Sequence, residues 1–345
     1  VAGYHGDPLK LSVGTPNGLV STMIWYSFAV IAGFILLVWG ADRFVAGAAG
    51  AARQLGISTL IIGLTIVGFG TSAPEMLVSA MAAYGGNPGL SIGNAIGSNI
   101  TNIALILGLT AVYIPLTVRS ETLRRELPLL MAIMLVSVGL LADRELDRID
   151  GILLLLALVG FLAWLVRLGM SSKTSDPIIA EFQEQIPEDM PLGKAFFWLL
   201  AGLVVLLGSA QMLVWGSVNI AEAFGVSDLV IGLTIVAIGT SLPELAASIV
   251  AARRGEHDIA IGNVLGSNIF NLLAVMGLPG VIRPGPIPPE VLSRDFPVMI
   301  FLTLLFFGLA YGIGGTGRIG RFSGAVLLAC FVGYQLILYF GILAT

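Results

Sequence analysis

Gly70-Thr71-Ser72-Ala73-Pro74-Glu75 returns later in the chain as Gly239-Thr240-Ser241-Leu242-Pro243-Glu244. A second stretch does the same: Gly93-Asn94-Ala95-Ile96-Gly97-Ser98-Asn99 reappears as Gly262-Asn263-Val264-Leu265-Gly266-Ser267-Asn268. Glu75 and Glu244 are 169 positions apart, and so are Ser98 and Ser267, which makes both motifs parts of one duplicated unit. Matches at that spacing extend outward, pairing Gly63-Leu64-Thr65 with Gly232-Leu233-Thr234. They also pair Glu121, Leu123, Arg125 and Pro128 with Glu290, Leu292, Arg294 and Pro297. Each copy sets a carboxylate in an apolar run, where an ionised side chain is costly and marks a functional site by default.

Composition fixes the class. Hydrophobic residues make up 57% of the chain and charged residues 11%, where a soluble protein carries about 25% charged. The expectation is an all-α membrane protein. Apolar spans of bilayer length, about 20 residues each, fall at 23–52, 58–84, 91–113, 127–142 and 149–168, then at 194–222, 227–252, 259–281, 296–313 and 322–343. The first and sixth exceed what a bilayer needs, which implies tilt. Five spans per copy is an odd number, so the second copy begins on the opposite side of the membrane. The predicted architecture is ten transmembrane helices as two inverted five-helix repeats, 23–170 and 194–345, with broken helices meeting at the midplane.

Lys and Arg give the orientation. Lys10, Arg144, Arg148, Arg283 and Arg294 lie on the side of the N-terminus. Arg53, Arg119, Arg124, Arg125, Arg167, Lys173, Lys194, Arg253, Arg254, Arg318 and Arg321 lie on the other. This places both termini outside and the 171–193 linker in the cytoplasm. That linker carries Asp176, Glu181, Glu184, Glu188 and Asp189 and reads as a solvated acidic connection in preference to a regulatory cation site. Residues 1–22 are polar, without the basic n-region of a signal peptide. They read as an appended remnant or an exposed arm outside the machinery. The net charge of −4 is spread over loops and implies no nucleic-acid partner. Cys330 stands alone, and His5 and His257 are far apart, so neither disulfide framework nor zinc spacing is present.

The chemistry follows from what the first motif does to a helix. Pro74 has no N–H, so the Gly70 carbonyl loses its helical partner, and a freed carbonyl at membrane depth needs protein, water or an ion. Pro243 repeats this with Gly239. Thr71 and Glu75 share a helix face, as do Ser98 and Asn102, and Ser267 and Asn271, each pair four apart. Carboxylates, hydroxyls, amide oxygens and carbonyls without sulfur or imidazole suit Ca²⁺, Na⁺ or Mg²⁺. Glu75 and Glu244 together neutralise one divalent cation; without it they would take protons or monovalent ions, which is the physical root of exchange.

Plainer readings exist for each feature. Ser72-x-x-Glu75 and Ser241-x-x-Glu244 are also capping boxes, though capping does not explain a charged cap at membrane depth twice. Gly93/Gly97 and Gly262/Gly266 permit close helix packing. Asn99 and Asn268 read as structural hydrogen-bonding groups before ligands. Asp42 and Arg43 have no charged counterparts in the second copy, where Gln211 and Met212 stand. They read as a local ion pair or an interfacial feature.

These residues resemble the Ca²⁺/cation antiporter superfamily, and within it the prokaryotic sodium/calcium exchanger branch, from Met23 nearly to the C-terminus. The resemblance implies alternating access with Ca²⁺ moved against Na⁺, in an inner or plasma membrane of a prokaryote. It implies no cofactor and no obligate protein partner beyond the lipid bilayer and the transported ions. By motif position, Glu75 and Glu244 would be the main Ca²⁺ carboxylates. Thr71 and Thr240 would offer carbonyls, and Ser72 and Ser241 hydroxyls. Ser98, Asn102, Ser267 and Asn271 would complete the cluster, with Gly68 and Ala237 supplying carbonyls for outer Na⁺ positions. The long first and sixth helices would slide as a unit across this core. K⁺-dependent relatives have Asp where this chain has Asn271, and proton-coupled relatives carry a different acidic motif, so Na⁺ is favoured. The cytoplasmic Ca²⁺-sensing insertion of animal exchangers is missing, so regulation of that type is not expected. The rivals are H⁺/Ca²⁺ or K⁺-linked antiport and, in a different class, a cation channel. A membrane enzyme is weakest, for no nucleophile–base pairing stands in the spans.

Overall fold

The structure, a computed structural model, describes residues 16–55, 72–118, 120–171, 190–253, 255, 257–311 and 317–343. Gly68, Thr71, the first part of the 58–84 span and most of the linker lie outside the described residues. In chain order the helices are α1 (Pro16–Gln54), α2 (Ala73–Gly85), α3 (Pro88–Ile100), α4 (Leu107–Tyr113), α5 (Ser120–Leu140), α6 (Arg148–Ser171) and α7 (Leu192–Phe224). They continue as α8 (Asp228–Ile231), α9 (Ala237–Thr240), α10 (Leu242–Arg253), α11 (His257–Phe270), α12 (Gly277–Ile282), α13 (Phe296–Tyr311) and α14 (Arg321–Leu343). π-helical turns join α3 to α4 (Thr101–Ile106), α8 to α9 (Gly232–Val236) and α11 to α12 (Asn271–Val275), and another, Val291–Asp295, leads into α13. The strands are two residues each: β1 (Leu116–Thr117), β2 (Glu145–Leu146), β3 (Gly285–Pro286) and β4 (Arg318–Ile319).

Among the described residues, eight helical stretches are long and apolar enough to cross a membrane. They coincide with eight of the ten predicted spans. The predicted 127–142 span appears as the shorter apolar stretch Glu126–Leu140, because charges crowd the first turns of α5. Helix α1 begins at Pro16, a residue suited to a helix start because its missing N–H is not needed there. The last residues of the polar 1–22 segment are therefore helical.

Burial separates a centre from a periphery. In the most apolar stretch of Pro88–Tyr113 and of Ala260–Ile282, 83% and 78% of the residues are buried, against 22–33% for the corresponding stretches of α1, α6, α7 and α14. The central helices are enclosed by protein, and the outer ones turn Ile24, Phe28, Ile31 and Ile35, or Leu200 and Val204, outward. A second apolar cluster lies beneath α1 and α7, apart from the main one.

Helices α1 and α7 run antiparallel: Gly33 faces Leu213, Gly40 faces Leu206 and Gly47 faces Leu199. Glycines seven apart on α1, met by Gly202 and Gly216 on α7, let the two backbones touch along the seam. A seven-residue repeat is the period of a left-handed helix pair, and small residues are what permit close approach in lipid. Asp42 and Arg43 pair locally at 3.7 Å, and the Arg43 guanidinium lies 5.8 Å from the Trp39 ring and 5.0 Å from Trp198.

The halves interlock by exchange. Strand β1 pairs antiparallel with β4, and β2 with β3. Helix α4 packs on α14, and α12 on α6. A Cβ added to Gly108 would lie 3.1 Å from the Gly324 carbonyl; one added to Gly277 would lie 3.3 Å from that of Gly151. In each case the element of one half meets the other half's later element, and the reciprocal contact exists.

Candidate cation site

Helices α2 and α10 are entered through the same backbone conformation. Ser72 has φ −87° and ψ 0°, and Ser241 has φ −85° and ψ 6°. Pro74 and Pro243 follow two residues later. The capping reading is corrected in one respect: Ser72 makes no side-chain capping bond. Its hydroxyl and that of Ser241 are left for other partners. One turn into each helix stand Glu75 and Glu244, 1% and 0% exposed. The two are within electrostatic reach of each other.

The facing wall comes from α3 and α11. Asn102 and Asn271 each open a turn in which their own carbonyl accepts from the residue five ahead, Leu107 and Met276 respectively. Such π-turns occur disproportionately at functional sites; here they fall on equivalent residues. Ser72, Ser98, Asn102, Thr240, Ser241, Ser267 and Asn271 are all buried.

The polar contacts cross between the halves. Ser241 Oγ donates to Glu75 Oε1 at 3.5 Å, and Asn102 Nδ2 to Asn268 Oδ1 at 3.0 Å. Glu244 Oε1 instead accepts from Ser267 Oγ of its own half, at 3.3 Å. Thr240 Oγ1 lies 3.0 Å from the Val236 carbonyl and 3.3 Å from Asn94 Oδ1. The Ala237 carbonyl accepts the Ser241 N–H at 3.2 Å. Asn99 donates to Met299 Sδ at 3.4 Å, while its own Oδ1 is buried without a partner.

What remains is a set of oxygens without hydrogen-bond partners. Among the described residues, Glu75 Oε2, Glu244 Oε2, Ser72 Oγ, Asn102 Oδ1 and Asn271 Oδ1 are buried and unpaired, as are Asn99 Oδ1 and Thr101 Oγ1 beside them in the chain. Buried acceptors are ordinarily satisfied, and those of carboxylates are the costliest to leave. These oxygens are the chemistry of a hard-cation site of the Ca²⁺ or Na⁺ kind, with neither sulfur nor imidazole among them. Of the predicted residues, Gly68 and Thr71 lie outside the described ones, and the other ten are buried.

Sequence reasoning passed over Asn94, Asn263, Ser79 and Ser248. Asn94 Nδ2 donates to the Glu75 carbonyl at 3.0 Å and to Ser79 Oγ at 3.3 Å. Asn263 Nδ2 repeats both bonds to the Glu244 carbonyl and Ser248 Oγ, each at 3.3 Å. The signal was present, since both pairs repeat at the 169-residue spacing.

The family described as "Sodium/calcium exchanger protein" matches residues 25–167 and again 194–340. The putative antiporter CaxA of Alkalimonas amylolytica is 49% identical over 92% of this chain and 99% of its own length. The inner membrane protein YrbG of Escherichia coli is 42% identical over 92% of this chain and 98% of its own. A structure of the sodium-calcium exchanger NCX_Mj, soaked with Na⁺ and Sr²⁺, superposes with a TM-score of 0.59 at 34% identity. It covers 90% of this chain and 97% of that one.

Proposed function

The chain belongs to the sodium/calcium exchanger protein family, whose matches span both halves, and from that premise we propose that this membrane antiporter exchanges Ca²⁺ for Na⁺ by alternating access. The observation that carries the reading is the pair of buried carboxylates, Glu75 and Glu244, each with an unpaired Oε2. Two negative charges match one Ca²⁺. When the divalent ion leaves, Na⁺ takes its place and keeps the buried oxygens compensated, which couples the two fluxes. Thr240, Ser241, Ser72, Ser98, Ser267, Asn102 and Asn271 complete the ligand set, joined by the carbonyls of Thr71, Gly68 and Ala237.

The fold we propose is ten helices in two inverted repeats, 23–170 and 194–345, related by a two-fold axis through the site. The exchanged pairings of β1 with β4 and β2 with β3 support it. Both termini lie outside, with the 171–193 linker in the cytoplasm. The α1/α7 pair slides across the core to open the site to either side. Its extended glycine seam fits a unit that moves together, over an apolar interface shared with Val78, Ala82, Leu90, Ile231 and Val236 of the core.

The test is ⁴⁵Ca uptake into liposomes under an outward Na⁺, H⁺ or K⁺ gradient, or none. Uptake driven by Na⁺ alone is expected. Uptake that follows H⁺ or K⁺ instead would change the counter-ion, and flux independent of any of these gradients would identify a channel.

A further inference from the structure

Every hydroxyl that ligates a cation must turn a lone pair toward it, so its hydrogen has to go elsewhere. Ser98 sends its hydrogen to Asn94 Oδ1 at 3.4 Å, and Thr240, from the other half, approaches the same oxygen at 3.3 Å. The orientation of the Asn94 amide is fixed by its opposite end. Nδ2 faces the Glu75 carbonyl, which can only accept, and Ser79 Oγ, whose own hydrogen goes to the Ser91 carbonyl at 3.2 Å. Ser91 Oγ returns a bond to the Ser79 carbonyl at 2.7 Å, so α2 and α3 are tied at that level by a closed set of bonds. Asn94 is fully buried and Asn263 is 5% exposed. Asn263 grips the Glu244 carbonyl and Ser248 Oγ in the same way, and Ser248 in turn reaches the Ala260 carbonyl at 3.4 Å.

We propose that Asn94 and Asn263 are positioning residues of the cation site. Each clamps the backbone carbonyl of its glutamate with the amide nitrogen. Asn94 also takes up the Ser98 hydrogen on its oxygen, which turns that hydroxyl's lone pair toward the ion, while the Thr240 hydrogen has the nearer Val236 carbonyl at 3.0 Å. One residue on α3 thus sets the geometry of both Glu75 and Ser98, and its oxygen lies 3.3 Å from Thr240 Oγ1 of the other half. Neither asparagine needs to touch the ion. The inference rests on the cation site described above.

The test compares wild type with Asn94→Leu and Asn263→Leu as full chains. Ca²⁺ and Sr²⁺ binding is measured by calorimetry on purified protein, and ⁴⁵Ca uptake in liposomes is normalised to transporter content. Loss of buried hydrogen bonds at each amide predicts a KM for Ca²⁺ raised about tenfold or more, with a changed Ca²⁺-to-Sr²⁺ preference. Lower yield or lower maximal rate with KM and ion preference unchanged would overturn the positioning role, since that is what a packing defect gives. If the leucine variants do not fold, Ser79→Ala removes one anchor of the Asn94 amide without altering any proposed ligand. It should raise KM in the same direction by a few-fold, and a wild-type KM and ion preference there would overturn the proposal. Failure of the wild type itself to bind either ion would overturn the cation site, a result distinct from an unchanged variant.

Discussion

Asn271 carries two buried amide atoms with no hydrogen-bond partner among the described residues, on a π-turn packed against α2, the helix of Glu75. An amide there contributes an oxygen but no charge. Asn271→Asp would add a third carboxylate to a site balanced for one divalent ion, and should shift selectivity among Na⁺, K⁺ and Ca²⁺, read from competition against ⁴⁵Ca uptake. Unchanged selectivity would remove Asn271 from the site. The glutamates, serines and Asn102 were legible in the sequence because a duplicated polar residue in an apolar run has few structural excuses. Asn94 and Asn263 were equally duplicated and equally polar. Nothing in spacing distinguishes a residue that touches the ion from one that holds the residues that do; only the direction of their hydrogen bonds does.

Helix α3 lies against the α8–α9 segment with almost no side chain between them. A Cβ added to Gly93 would sit 3.0 Å from Gly232 Cα and 3.0 Å from Leu233 N. Backbone cannot yield as a flexible side chain does, so Gly93→Val should destabilise by about 1–3 kcal/mol, seen as a lower melting temperature in detergent. Gly333→Ala in α14, with open space around it, should leave the melting temperature unchanged or slightly raised. The spans themselves were readable from hydropathy, eight of them directly. The π-turns at Asn102 and Asn271 were not, because one extra residue per turn leaves the apolar pattern of a buried helix intact. The two-residue strands escaped for a different reason: they are pairings between distant loops and have no local signature.

Across the whole molecule, α1 and α7 form one layer and the remaining helices another. Phe34 of α1 rests its ring on Gly239, at the break that carries Thr240 and Ser241. Sliding of the outer pair would carry that ring away. In a protein with Cys330 replaced by Ala, linking Gly33→Cys to Leu213→Cys should leave exchange intact, because it joins α1 only to α7. Linking Phe34→Cys to Gly239→Cys with a short thiol cross-linker should stop it, and cleaving the linker should restore it. Continued exchange with α1 tied to the core would rule out sliding of the pair.

All of this depends on one ion being held by two carboxylates from opposite halves. Removing one charge leaves a buried divalent ion half-compensated, at a cost of about 3–5 kcal/mol, roughly a hundred- to a few thousand-fold in affinity. The direct measurement is Na⁺-gradient-driven ⁴⁵Ca uptake by reconstituted Glu75→Gln and Glu244→Gln proteins, each confirmed folded. Loss of uptake in both variants is the predicted result. Near-normal uptake in either would contradict a shared site.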